Sequence, residues 1–131
     1  MSLIEALIAV AISVLIASIA FPAMDSAWES SRQTSAASTL LANLRVARAQ
    51  AVRGGQPVAM AISADGRRYS IGATVVDLPD PLVLRARPAR ISFYPDGSAS
   101  AAQLALTGPR ATQMLHIRPV TGLVEAEAPA R

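Results

Sequence analysis

The sequence predicts an α+β protein in which one long N-terminal helix, membrane-spanning over its first half and bent near Pro22, packs on a small antiparallel β-rich C-terminal domain. Three observations carry that expectation. The opening stretch, "MSLIEALIAVAISVLIASIAFPAM", is an apolar run holding one charged side chain. Helical spacing of apolar residues then continues as far as Arg53 and stops at "GGQP". From Pro57 onward, short alternating runs are punctuated by Asp-Gly and Pro-rich turns, the pattern of antiparallel strands. The chain accordingly divides into an apolar helix over 1–24, an amphipathic continuation over 25–55 and a β-rich domain over 56–131.

Ala6 to Met24 holds nineteen residues without a formal charge. As a helix they span roughly 28 Å at about 1.5 Å per residue, close to the hydrocarbon thickness of a bilayer. The run is apolar all round, as suits a helix surrounded by lipid or by other helices. A secretory signal peptide carries positive residues before its apolar core. None stands here, so the segment reads as a retained membrane helix. Pro22 lacks the N–H that would bond the Ser18 carbonyl, which loosens or bends the axis there. Beyond it Leu40, Leu41, Leu44, Ala47 and Ala51 recur at helical spacing, while Arg45, Arg48 and Gln50 fall largely on other faces. Arg53 in the last turn, followed by Gly54, Gly55 and Pro57, ends the helix.

The strands follow in order. "PVAMAIS" and "RRYSIG" form a hairpin around Asp65-Gly66. "ATVVDL" and "LVLRA" flank a loop with Pro79 and Pro81. "RISFY" meets a second turn at Pro95 to Gly97, and the last two strands, "QMLHIR" and "GLVEAE", join around Thr121-Gly122. Short strands with tight turns make an antiparallel sheet, with the end of the helix on its apolar face. The tail "APAR" is frayed.

Composition excludes several functions. The 131 residues leave roughly a hundred for one small folded domain after the apolar segment. There is no cysteine, hence neither a disulfide framework nor a cysteine metal site. His116 is the only histidine and lies in an alternating strand run, without a nucleophile motif or phosphate-binding glycine loop beside it. No enzyme and no cofactor is expected. Asp77 with Asp80, or Glu125 with Glu127, do not make a calcium loop, which needs six to eight oxygen ligands. They read as carboxylates of turns and edge strands.

Glu5 is the one charge before Asp25. A carboxylate at mid-bilayer costs about 2.5–3.5 kcal/mol on insertion scales, less near the end of a span. It must be hydrated, protonated or paired. One reading has it reach headgroup water. The other pairs it with the α-amino cation at Met1 of a neighbouring, staggered copy, making Glu5 a register mark for helix assembly inside the membrane.

"SLIEALIAVAISVLIASIAFPAM" resembles the N-terminus of mature type IV pilins and type II secretion pseudopilins. That family carries a Thr/Ser-Leu-Ile-Glu start and commonly a proline matching Pro22; Glu5 and Pro22 match residue by residue. The family usually begins with phenylalanine where this chain has Met1. Because Glu5 keeps its register, Met1 is read as the first residue after leader removal, N-methylated by the prepilin peptidase. "LRVARAQAVRGGQPV" is similar to the helix-to-strand passage of the GspH/FimT branch, with its Ala-Arg-x-x-Ala-Val pattern. "ISFYPDGSAS" and "LHIRPVTGLVE" resemble that branch's Phe-x-Pro-x-Gly turn and terminal strand-Gly-strand. The resemblance implies a pilin-like fold and a structural subunit, a minor pseudopilin of a type II secretion pseudopilus. It implies other pseudopilin subunits, an inner-membrane assembly platform, the prepilin peptidase and membrane lipid as partners. It also implies a single-pass inner-membrane location with the C-terminal domain in the periplasm, before incorporation into a filament. The main repeating subunit of a pilus-like filament stays open as an alternative.

A second alternative is a pilus or competence pilin that binds DNA. All twelve cations are arginine, and the net charge is +3. "RARPAR" places Arg85, Arg87 and Arg90 close in sequence, and Arg110 and Arg118 could join them in an anion contact. Aromatics for base stacking are few, so a solvated basic loop is the preferred reading.

Overall fold

Among the residues described by this computed structural model, 2–127, one helix and eight strands follow one another, the seven strands expected in their order and one more; the tail "APAR", expected to fray, lies outside them. Helix α1 runs Leu3–Gly54. The strands are β1 Val58–Ile62, β2 Arg68–Ile71, β3 Thr74–Asp77, β4 Val83–Arg87, β5 Arg90–Phe93, β6 Ala102–Thr107, β7 Thr112–Ile117 and β8 Val124–Ala126. The chain separates into two compact units, 1–32 and 33–131.

In the second unit α1 presents Ala36, Ala37, Leu40, Leu44, Ala47 and Ala51 inward, one stripe at helical spacing. Leu41, expected on that stripe, is half-buried at its border. Four of the six are alanines, so the strands can approach the helix closely. Leu40 and Leu44 are fully buried and fill the space between, each contributing about 1.5–3 kcal/mol by burial. Met60, Tyr69, Ile91 and Phe93 complete the cluster from one side, and Leu84, Leu104, Leu106 and Leu115 from the other.

The single sheet expected is in fact two, each antiparallel and four-stranded, in the orders β3-β2-β1-β5 and β4-β6-β7-β8. The difference comes from β6, "AQLALT", which was not anticipated. It pairs with β4 on one side and β7 on the other and so builds a second sheet around itself. The hairpins fall where the turn residues put them. Asp65 accepts from the Ser63 hydroxyl (2.5 Å) and the Arg67 N–H (3.1 Å), which holds its carboxyl below the ordinary aspartate value of 3.8. Asp96 does the same in the second turn through Ser98. The Gly66 carbonyl accepts from the Leu84 N–H at 2.7 Å, tying the first hairpin turn to β4.

Gln33, Asn43 and Arg48 of α1 reach the strands and their turns. Gln33 Nε2 donates to the Ala111 carbonyl at 2.9 Å, beside the β6–β7 turn. Asn43 Nδ2 donates to the Tyr69 hydroxyl at 2.9 Å. Burial raises the pKa of that phenol, and the Asn43 bond partly opposes the shift. Arg48 Nε–H is shared between the Gly97 carbonyl (3.1 Å) and the Thr121 carbonyl (3.0 Å), so one side chain fastens two turns.

Among the described residues, none of the core precedes Ala36. A chain beginning near Trp28 is therefore expected to be soluble and folded, with a cooperative thermal transition and strand-rich circular dichroism. An aggregated or unfolded product across several buffers would show that the apolar segment is needed for folding.

Candidate assembly segment and basic surface

The first unit is helical from Leu3 and its apolar side chains are exposed all round, among them Leu3 (82%), Ile19 (70%), Phe21 (69%) and Trp28 (62%). Its most apolar eighteen-residue window is long enough to cross a membrane, and none of it is buried. So wide an apolar surface calls for lipid or other helices as its cover. The hydroxyls within the run turn back on the backbone. Ser13 Oγ donates to the Ala9 carbonyl (2.8 Å) and Ser18 Oγ to the Leu15 carbonyl (2.7 Å), which leaves neither donor for the lipid to solvate. Helical structure continues through Pro22 without interruption.

Sequence reasoning missed how the helix starts. Ser2 is its N-cap: the Ser2 carbonyl accepts from the Ala6 N–H (3.2 Å) and Ser2 Oγ from the Glu5 N–H (3.3 Å). Ser2-Leu3-Ile4-Glu5 is thus a capping-box sequence, a signal plainly present in the chain. Glu5 also lies in the first turn, where a carboxylate is favoured by the partial positive charge of the helix N-terminus. That position favours the start of the helix, independently of any role between subunits. Met1, the proposed partner of Glu5 in a neighbouring copy, lies outside the described residues.

The candidate arginines do not share one surface element. Arg85 and Arg87 are exposed on β4, two residues apart and so on the same face of the second sheet. Arg90 begins β5 and pairs opposite Ala61 in the first sheet, because the chain changes sheets between Arg87 and Arg90. Arg110 is exposed in the β6–β7 turn. Arg118 follows the far end of β7, about 20 Å along the strand from that turn, and pairs with Glu125 at 2.9 Å. Arg85 and Arg87 line a cleft of about 310 Å³ with Gln103, Ala105 and Met114.

The carboxylates weighed as calcium ligands are engaged elsewhere: Asp77 with Arg68 (2.6 Å), Asp80 with Arg67 (2.9 Å), Glu125 with Arg118 and Glu127 with His116 (3.0 Å). His116 sits on β7 opposite Gln103 and Glu125.

The family model for the type II transport protein GspH matches residues 36–120. Among solved structures the chain is similar to the type IV minor pilin FimU of Pseudomonas aeruginosa PAO1, with a TM-score of 0.65 and 21% identity, covering 76% of this chain and 91% of that one. It is also similar to the minor pseudopilin EpsH from the type 2 secretion system of Vibrio cholerae, with a TM-score of 0.62 and 14% identity, covering 74% and 97%. At such identities the likeness is one of fold. No characterised protein matches by sequence.

Proposed function

Because the chain belongs to the family of the type II transport protein GspH, a family of pilin-like structural subunits rather than enzymes, we propose that it is a minor pseudopilin of a type II secretion system. The observation that carries the reading is the conjunction of two parts in one chain. An unburied apolar helix with Glu5 in its first turn precedes a domain of the GspH kind. In this reading the helix holds the subunit in the inner membrane with its C-terminal domain in the periplasm. The prepilin peptidase acts on it, and an assembly platform delivers it into a filament of other pilin-like subunits. Pro22 supplies a point where the helix gives during extraction from lipid. Removing the chain from its host tests the proposal: export of secreted proteins should fall, while DNA uptake stays unchanged. The opposite pattern would overturn it.

A second reading, a pilus or competence subunit that contacts DNA, draws support from Arg85 and Arg87, for which no ion-pair partner is found among the described residues. Replacing Arg85, Arg87 and Arg90 by Gln separates the two. For a secretion subunit, stability should stay within about 0.5 kcal/mol per exposed site, with export unaffected. For a DNA-binding subunit the variant should lose affinity, and its salt dependence should flatten by roughly 0.9 log unit per lost phosphate contact. The first outcome is expected.

A further inference from the structure

The outward face of the second sheet has a charge order that its strand register makes self-complementary. Arg87, Gln103, His116 and Glu125 lie in one row across β4, β6, β7 and β8. Arg85, Ala105 and Met114 form the next row, closed by Glu127, whose N–H bonds the Met114 carbonyl at 2.9 Å. One row reads from arginine on one edge strand to glutamate on the other, and the second to the glutamate just past that strand's end. The spacing agrees as well, since both arginines and both glutamates are two residues apart, about 7 Å along their strands.

We propose that this face is a contact surface between two copies of the chain, related by a two-fold axis parallel to the strands and passing between β6 and β7. Such an axis lays β4 of one copy over β8 of the other with no shift along the strands. Arg87 then faces the second copy's Glu125, and Arg85 faces its Glu127. Gln103 meets His116, a polar pair, and Ala105 meets Met114, an apolar one, so neither arginine nor carboxylate occupies the middle. An axis perpendicular to the strands would instead set arginine on arginine and glutamate on glutamate, so charge selects the orientation. Two aligned sheets about 10 Å apart leave room for these side chains to span the gap. The glutamates are available: Glu125 is 52% and Glu127 is 63% exposed despite their pairs with Arg118 and His116. Four strands at about 4.8 Å give a face near 20 Å wide, a few hundred Å² per copy. That is well below the roughly 800 Å² per partner of a stable complex. The contact therefore works between copies already held in one membrane plane, where effective concentration is high. It does not depend on which filament the chain serves.

The chain contains no cysteine, so a reporter can be placed cleanly. The full chain carrying Gln103→Cys, reconstituted in liposomes and treated with a short thiol cross-linker, should give dimer. Val75→Cys, exposed on β3 of the other sheet, should give only background. In the Gln103→Cys chain, Arg87→Glu and Glu125→Arg should each lower dimer yield about fivefold, since symmetry breaks two pairs at once. The double variant restores opposite charges and should return within about twofold of the parent. Unchanged yield in the single variants, no recovery in the double, or equal yield from Val75→Cys would overturn the proposal. So would loss of duplex DNA binding in Arg87→Glu with dimer yield unchanged, which would assign these arginines to nucleic acid.

Discussion

Glu5→Ala is expected to insert into the inner membrane as the parent does and to be missing from filaments. Removing a carboxylate from the end of an apolar span makes insertion easier, by at most about 2.5–3.5 kcal/mol, so the membrane step cannot be what suffers. What is lost is whatever the carboxylate does elsewhere, and the structure offers a local rival to the proposed pairing between subunits. Ser2 and Glu5 have the sequence of a capping box, and a first-turn carboxylate contributes about 0.3–1 kcal/mol at a helix N-terminus. Glu5→Gln separates the two roles. Glutamine serves a capping box nearly as well as glutamate but carries no charge for a neighbour's α-amino group. If Glu5→Gln is excluded from filaments as strongly as Glu5→Ala, the charge is what assembly needs. If Glu5→Gln assembles normally, the helix cap suffices and the proposed register mark is wrong. Fractionation of membranes and of purified filaments measures both steps in one culture.

The parts of this molecule that were legible in the sequence are those encoded within a few residues. Gly54 ends α1 beside the predicted Arg53, and the turns at Asp65-Gly66, Pro95-Gly97 and Thr121-Gly122 fall where turn chemistry puts them. β6 was missed because Ala102, Gln103 and Ala105 have low strand propensity, and of its buried positions Ala102, Leu104 and Leu106 only the two leucines stand out in the sequence. Without β6 a second sheet could not be inferred. The arginine triplet looked like a patch for a related reason. Sequence proximity of Arg87 and Arg90 hides that the strands on either side of Pro88 belong to different sheets. Glu5 and Pro22 stood out because they are anomalies in an apolar run. Arg48 did not, since an arginine among alanines on a helix looks like a solvated face. Its partners lie 49 and 73 residues away. The available signal was the Ala-Arg-x-x-Ala-Val resemblance, which contains Arg48 but does not say what it touches.

Arg48→Ala and Gly122→Ala should both be strongly damaging although neither lies in the apolar core, and their effects should not add. Three stretches of sequence that resemble one family meet here: the end of α1 through Arg48, the Pro95–Gly97 turn and the Thr121–Gly122 turn. A bond from a charged donor contributes about 1.5–3 kcal/mol, so Arg48→Ala should lower stability by that amount, or roughly 10 °C in Tm for a domain near 100 residues. Gly122 has φ +63, which disfavours any side chain, and a Cβ there would collide with the Gly97 carbonyl oxygen and approach Arg48 Nε to 3.0 Å. Gly122→Ala should therefore cost about 2–3 kcal/mol by strain and by pushing the two turns apart. Once Arg48 is gone, one of the two groups that the new methyl meets is gone as well. The double variant should then fall short of the sum by about 0.5–1 kcal/mol or more. Denaturant titration of the four proteins, each begun near Trp28, closes the cycle. Strict additivity would mean that Arg48 and Gly122 act separately, and that the arginine does not hold the two turns together. A loss below about 0.5 kcal/mol for Arg48→Ala would mean that water replaces its bonds at no cost.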